Sequence, residues 1–401
     1  MVRRRSGKNK TPKRMDKIIK YGGALIGDEE VEAILKSINK DRENWQLGEE
    51  GALMEKEAAD YLGVKHCILT SSGSAAGLLA LSALELKKGT EVIIPAVTFP
   101  TIFNIIVQCG LVPVVVDCKV GTYNIDTDKL EEAISDDTTA IIAVHAVGNP
   151  ADINRIVEIA FRRGLKVIED GCDSWGSAIF NKKLGSFGDV SITSFHAAHI
   201  VSMGVGGAVF TNDDEIAKKV RQYRDWGRQA NITEPHKVGS LPKDHNPRFV
   251  YEKIGYNFQI LELQAAMGRV QLKKTEKIKF LRKANFDYFY EHLSKFSELI
   301  MPELVEGADV CWFSFPLTTI GEREPLVAFL EEKGIETRSM FAGNIIKHPA
   351  YRNTYYRVGN ELKGADYILE HSFWFSVHPR LTQADREYIV KAFEDYYAQA
   401  A

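Results

Sequence analysis

Two histidines, two aspartates and a serine-rich helix start carry most of the chemistry available to this chain. The run Ser194-Phe195-His196-Ala197-Ala198-His199, closed by Gly204, Gly206 and Gly207, reads as a strand end entering a tight loop. Its small residues leave room for a ligand against the backbone. An imidazole of ordinary pKa, about 6.5, is roughly three-quarters neutral at pH 7 and can act as a base, whereas a lysine near 10.4 is mostly charged. His199 is the candidate base; His196 and His145 read as helpers or as structural residues. Upstream, Glu169-Asp170-Gly171-Cys172-Asp173 puts Asp170 at a strand end, where a carboxylate can pair with a protonated ring nitrogen and keep the ring cationic. Further upstream, Ser71-Ser72-Gly73-Ser74-Ala75-Ala76 opens a helix whose free N–H groups and dipole suit a phosphate. There Gly73 allows close approach and Ser74 adds a hydroxyl. Phe99 follows another strand and can stack on a ring. Each also has a plain reading: a strand-end Asp capping a turn, a Ser-Gly-Ser N-cap without ligand, a core Phe. Singly, the residues leave both readings open.

The elements that must hold these residues alternate from about Tyr21 to Thr211. Glu91–Pro95, Val112–Asp117, Ala140–Val144 and Lys166–Asp170 are near-continuous apolar runs, as strands buried on both faces of a parallel sheet are. Helical patterns lie between them at Ser74–Leu86, Lys129–Ile134 and Asp152–Arg163. The alternation predicts an α/β layered domain, with ligands at the carboxyl ends of the strands. A helical pattern runs on from about Gln259 to Leu293. After it, a strand at Trp312–Leu317 and helices at Pro325–Lys333 and Gln383–Tyr397 predict a smaller α+β domain. Arg228–Pro247 reads as a long loop.

With 401 residues, 51 basic against 54 acidic side chains and net charge -3, the chain suits two domains and favours no polyanionic partner. Five scattered cysteines without a Cys-x-x-Cys pair argue against disulfides or local zinc and for a cytoplasmic location. No apolar run suits a membrane helix. The first 14 residues hold seven Lys or Arg and no acid. That is a nucleic-acid or anionic-surface tail or, more plainly, a disordered solvated extension.

The three chemical segments, in this order, resemble the sugar aminotransferases of the DegT/DnrJ/EryC1/StrS superfamily, fold type I pyridoxal-phosphate enzymes. Arg224-Asp225-Trp226-Gly227-Arg228, Gly255-Tyr256-Asn257, Gln264-Ala265-Ala266, Phe341-Ala342-Gly343-Asn344 and Phe373-Trp374 extend the resemblance to nearly the whole chain. In that family the loop normally ends in the lysine that binds the cofactor as an imine. Here it ends in His199, as in the histidine-containing nucleotide-sugar 3-dehydratases that act on GDP-4-keto-6-deoxymannose or CDP-4-keto-6-deoxyglucose.

The resemblance implies a mostly parallel sheet sandwiched by helices. It divides the chain into a tail (1–20), a large cofactor-binding domain (21–258), and a linking helix with a small C-terminal domain (259–401). It further implies a noncovalent pyridoxal 5'-phosphate or pyridoxamine 5'-phosphate, its phosphate on Gly73, Ser74 and Ser194. Phe99 would stack on the ring, Asp170 bind its nitrogen and Asp173 its hydroxyl. Asn257 would reach the phosphate of the neighbouring subunit, giving a homodimer with shared active sites, and Arg338 and Asn344 would meet the sugar nucleotide. The implied reaction is C3 dehydration of a nucleotide-linked 4-keto-6-deoxyhexose with His199 as base and glutamate as amine donor. A sugar aminotransferase and a non-catalytic cofactor-binding paralogue are the alternatives. The iron–sulfur relative carries a cluster of cysteines where this chain reads Gln229-Ala230-Asn231-Ile232-Thr233. Since such clusters need thiolate ligands, no iron–sulfur cluster and no reductase partner are expected.

Overall fold

The computed structural model describes residues 18–43, 45–229 and 240–400. Most of the basic tail and residues 230–239 of the expected long loop, including Ala230–Thr233, lie outside them. After β1 (His66–Thr70), the apolar runs form the predicted strands: β2 (Glu91–Pro95), β3 (Val112–Val116), β4 (Thr138–Val144) and β5 (Lys166–Asp170). A short ribbon, β6 (Ala178–Ile179) and β7 (Lys182–Lys183), precedes β8 (Val190–Ser194) and β9 (Gly207–Thr211). Beyond the ribbon strand β11 (Ala308–Asp309), the C-terminal part supplies β10 (Leu299–Ile300), β12 (Phe315–Thr319), β13 (Thr337–Ser339), β14 (Arg357–Val358) and β15 (Ser372–Phe375).

One eight-stranded sheet runs β1-β9-β8-β5-β4-β2-β3-β14. Within it only β9 is antiparallel to its neighbours. The carboxyl ends of β1, β2, β4, β5 and β8 therefore share one edge with the start of β9. A second, antiparallel sheet, β10-β12-β15-β13, carries its own core, in which Phe286 and Trp312 stack with centroids 3.8 Å apart.

Among the helices are α1 (Asp28–Lys40), α2 (Glu49–Leu62), α3 (Gly73–Ala83), α4 (Pro100–Gln108), α5 (Ile153–Arg163) and α6 (Asp214–Arg224). The expected Gln259–Leu293 helix is instead two, α7 (Glu262–Lys273) and α8 (Thr275–Leu293). The break falls at Lys274, whose ammonium is held by Glu29 and Glu30 of α1 at 2.7 and 2.6 Å. The two halves serve different cores: α7 packs on α1 and α2, while Phe286 and Phe289 of α8 sit in the second core. The helix expected at Lys129–Ile134 shrinks to one 3₁₀ turn, Glu131–Ala133, because Lys129 is drawn to Asp117 at 2.7 Å and the Ala133 carbonyl accepts from Arg357. The predicted Trp312–Leu317 strand lies at Phe315–Thr319 instead. Ile19, expected in the tail, is buried and bridges in parallel to Ile335. Arg357 and Val358 return to the large sheet beside β3. No helix among the described residues is long and apolar enough to cross a membrane.

Candidate active site

The start of β9 organises one end of the site. Gly207 pairs with Thr70 of β1 on one side and Ser194 of β8 on the other. A Cβ at Gly207 would stand 2.5 Å from the Ser72 carbonyl carbon and 2.6 Å from the Gly73 nitrogen. Only glycine lets the three chain segments meet there. At Gly73 a Cβ would lie 2.8 Å from the Cβ of Ser194, so helix start and strand end form one cradle. Ser72 caps α3 through a hydrogen bond from the Ala75 N–H (3.0 Å), and Ser74 Oγ meets Thr101 Oγ1 at 2.8 Å. Apart from Ser74 and Ser82, α3 is all Gly, Ala and Leu and mostly buried, which anchors its N-terminus against the sheet. The helix-start N–H groups with the Ser74 and Ser194 hydroxyls suit a phosphate.

Strand β5 delivers two carboxylates with opposite electrostatics. Burial alone would raise Glu169, but His145 at 3.3 Å and N–H donors from Gly185, Phe187 and Gly188 hold its carboxyl below the ordinary range. Next to it Asp170 is only 6% exposed. Burial pushes its carboxyl up against the donors from Cys172, and no lysine or arginine among the described residues pairs with it. A buried carboxylate lacking a cation is a place prepared to receive one. His145 is wired structurally: Nδ1 accepts from the Ala151 N–H at 3.1 Å, which turns Nε2–H toward Glu169.

His199 stands on the loop between β8 and β9. The Phe195 N–H donates to Gly206, Ala197 to Gly204, Met203 to Phe195 and His199 to His196, and Phe195 itself is fully buried. This stitched loop puts the His199 ring 5.6 Å from that of Phe313 and 6.1 Å from that of His196. His199 Nδ1 is buried, 3.1 Å from Asp173 Oδ1 but off the line of a hydrogen bond.

A cavity of about 630 Å³ gathers Gly73, Ser74, Phe99, Asp170, Asp173, Ser194, His199 and Arg338 in its wall, together with His145 and His196. Phe99 is 57% exposed, so a ring face is free for stacking. No lysine among the described residues lines the cavity. Two expected residues are not in the wall. Asn344 is buried, its side-chain N–H₂ donating to Asp366 at 2.7 Å, with its backbone bridged to Val97. Asn257 is exposed and bridged to Asp225. It belongs to a clasp in which a Cβ at Gly255 would meet the Gly227 nitrogen at 2.1 Å, the reason the Trp-Gly-Arg and Gly-Tyr-Asn segments occur together. The structure adds wall residues that sequence reading did not place in the site: Tyr21, Cys172, Phe313, His348 and Trp374. Trp374 and Cys172 already stood in matching motifs. Phe313 sits in a loop with no local signature.

The model of the DegT/DnrJ/EryC1/StrS aminotransferase family matches residues 25–394. The lipopolysaccharide biosynthesis protein RfbH of Salmonella typhimurium is 37% identical over 95% of this chain and 92% of its own. The dTDP-4-dehydro-2,6-dideoxy-D-glucose 3-dehydratase of Saccharopolyspora spinosa is 34% identical over 96% and 87%. A crystal structure of GDP-4-keto-6-deoxymannose-3-dehydratase with a trapped PLP–glutamate geminal diamine superposes with TM-score 0.87 at 29% identity, over 93% of this chain and 99% of that one. The fold is therefore that of the fold type I pyridoxal-phosphate enzymes, and the cavity fits the cofactor. The helix start and hydroxyls at Gly73, Ser74 and Ser194 suit a phosphate, the buried Asp170 suits a cation, and Phe99 presents an open ring face. The chain belongs to the DegT/DnrJ/EryC1/StrS aminotransferase family and is a pyridoxal-phosphate-dependent, sugar-modifying enzyme.

Proposed function

We propose that this enzyme removes the C3 oxygen of a nucleotide-linked 4-keto-6-deoxyhexose, with His199 as base and glutamate as amine donor. The observation that carries the reading is the cavity wall: His199 stands there, and no lysine among the described residues does. An imidazole cannot form the imine that anchors the cofactor in an aminotransferase, yet it can move a proton near neutrality. When bound, the cofactor supplies an electron sink that makes departure of the neighbouring hydroxyl feasible. Gly73, Ser74 and Ser194 would hold its phosphate, Phe99 would cover the ring and Asp170 would keep the ring nitrogen protonated. His199, with Nδ1 buried, takes and returns the proton at Nε2. The relatives named as 3-dehydratases, and the glutamate adduct trapped in one of them, support the reading.

Overall, glutamate is oxidised to 2-oxoglutarate and ammonia while the sugar gives up one oxygen, which balances without an outside reductase. The test is a panel of 4-keto-6-deoxy sugar nucleotides incubated with and without glutamate. The expected product is lighter by one oxygen, with 2-oxoglutarate and ammonia formed alongside. A product that gains an amino group and keeps every hydroxyl identifies an aminotransferase. Turnover only with added flavin or iron–sulfur reductase identifies the electron-transfer version, and turnover on no substrate supports a non-catalytic paralogue.

In this reading the enzyme is a homodimer whose Asn257, exposed and outside its own chain's cavity, completes the phosphate site of the partner. Inactive His199→Asn and inactive Asn257→Asp proteins, mixed under conditions where subunits exchange, should regain part of the wild-type activity. One intact site then forms per heterodimer. No recovery despite demonstrated exchange places both residues in the same site.

A further inference from the structure

The Asp173 carboxylate has a second partner that its expected role on the cofactor does not use. Asp173 is 8% exposed, and its Oδ1 lies 3.1 Å from His199 Nδ1. That nitrogen is out of contact with solvent and has no other hydrogen-bond partner among the described residues. If Nδ1 carried a bare lone pair, it would face a carboxylate oxygen, two acceptors at contact distance in a dry place. A proton on Nδ1 turns the same contact into attraction, and a small rotation of either side chain brings it into line. Leaving a buried polar atom unmatched is costly enough to decide between two tautomers of similar energy.

The two residues hang from neighbouring strands. The turn carrying Asp173 is tied to β8 by the Gly171 N–H donating to Ile192 (2.9 Å) and Thr193 Oγ1 donating to the Gly171 carbonyl (3.1 Å). The loop carrying His199 leaves the end of that same strand. The other titratable groups around the pair are Asp170 at the end of β5, Cys172 on the turn that carries Asp173, His196 on the same loop as His199, and Arg282 of α8. Arg282 donates to the Trp312 and Phe313 carbonyls rather than to Asp173, so it leaves the carboxylate to the imidazole.

We propose that Asp173 is a positioning residue for His199, holding a proton on Nδ1 and thereby leaving Nε2 bare, toward the cavity, as the basic nitrogen. The proposal rests on the reading of His199 as the base, but its principal test does not require turnover. In full-length protein labelled with ¹⁵N-histidine, with and without pyridoxal phosphate, two-bond ¹H–¹⁵N spectra report each neutral ring's tautomer. The His199 signals are identified by their loss in His199→Asn. Wild type should show N–H at Nδ1 and a bare Nε2. Asp173→Asn should move the proton to Nε2, as the matching replacement does to the histidine of the serine-protease triad, where turnover falls about 10⁴-fold.

Asp173→Asn should lower kcat about 10²–10⁴-fold, with KM for the sugar nucleotide and cofactor affinity changed less than about threefold. Asp173→Glu, which keeps the carboxylate, should restore the Nδ1–H signal and part of kcat. Unchanged signals from His145 and from His378, which lies buried with its Nε2 2.9 Å from the Gly23 carbonyl, certify the fold of each variant. A wild-type ring protonated at Nε2, or the same tautomer in wild type and Asp173→Asn, overturns the proposal. So does a loss confined to cofactor affinity, which would leave Asp173 serving the cofactor hydroxyl alone. Failure of the dehydration assay with the tautomer shift intact would count against the reaction and not against the pair.

Discussion

Replacing His199 by asparagine should lower dehydration by about 10²–10⁴-fold, the span that a positioned acid–base group contributes, and leave cofactor affinity close to wild type. Asparagine keeps a donor near Asp173 but carries no nitrogen that accepts a proton at neutral pH. Most of the proposed cofactor contacts lie on other elements: Gly73 and Ser74 open α3 and Asp170 ends β5, while Ser194, at the end of β8, stands five residues before His199. Product formation by mass assay gives the first quantity and cofactor titration by absorbance the second. Borohydride treatment of wild-type holoprotein should leave no phosphopyridoxyl group on the chain, since no lysine among the described residues lines the cavity. Retention of more than about a tenth of the activity in His199→Asn, or a stoichiometric adduct on any lysine, removes His199 from the base role.

Replacing Glu169 by alanine should destabilise the protein by about 3–5 kcal/mol, the usual effect of deleting one member of a buried, hydrogen-bonded charge set. Its carboxylate is fully buried and gathers N–H groups from Gly185, Phe187 and Gly188 as well as the His145 ring. Deletion strands all four donors. Because the folded-state pKa of Glu169 is lowered, its contribution is in full above the ordinary value of 4.5 and fades as pH falls through the lower folded value. The destabilisation of Glu169→Ala relative to wild type should therefore shrink in acid below about pH 4.5. Asp170 has the opposite sign. Burial raises its folded pKa, so its charge weighs against the fold as pH rises and bound cation relieves it. Urea melts of wild type and Glu169→Ala across pH check this; a difference that is the same at pH 3 and pH 7 contradicts it.

Much of the fold was legible because its signals are local. β2 and β5 fall on the predicted residues, Glu91–Pro95 and Lys166–Asp170, since strands buried on both faces must be apolar throughout. Helix α5 begins after Asp152, whose side chain accepts from the Arg155 N–H, a cap visible in the residue order. The errors share a cause. Lys274 and Lys129 left their expected helices for carboxylates brought near only by the folded chain. Ile19 looked like tail because its bridge partner, Ile335, lies at the other end of the sequence.

The candidate site divides the same way. By itself the sequence determined the chemistry on offer: an imidazole where family relatives carry an amine, a carboxylate ending β5, and glycines and serines where α3 begins. Each of these sits within a few residues of a strand end, so short-range order was enough to find it. Only the tertiary structure decided that strand order β1-β9-β8-β5-β4-β2 brings those ends to one edge. It also turned Asn344 away to Asp366, set Asp173 against His199, and closed the cavity with Tyr21, Phe313 and Trp374, which lie far apart in the sequence and pack on the core of the large sheet. Strand order and the facing of side chains follow from which apolar surfaces bury one another across the whole chain, and no local pattern encodes that choice.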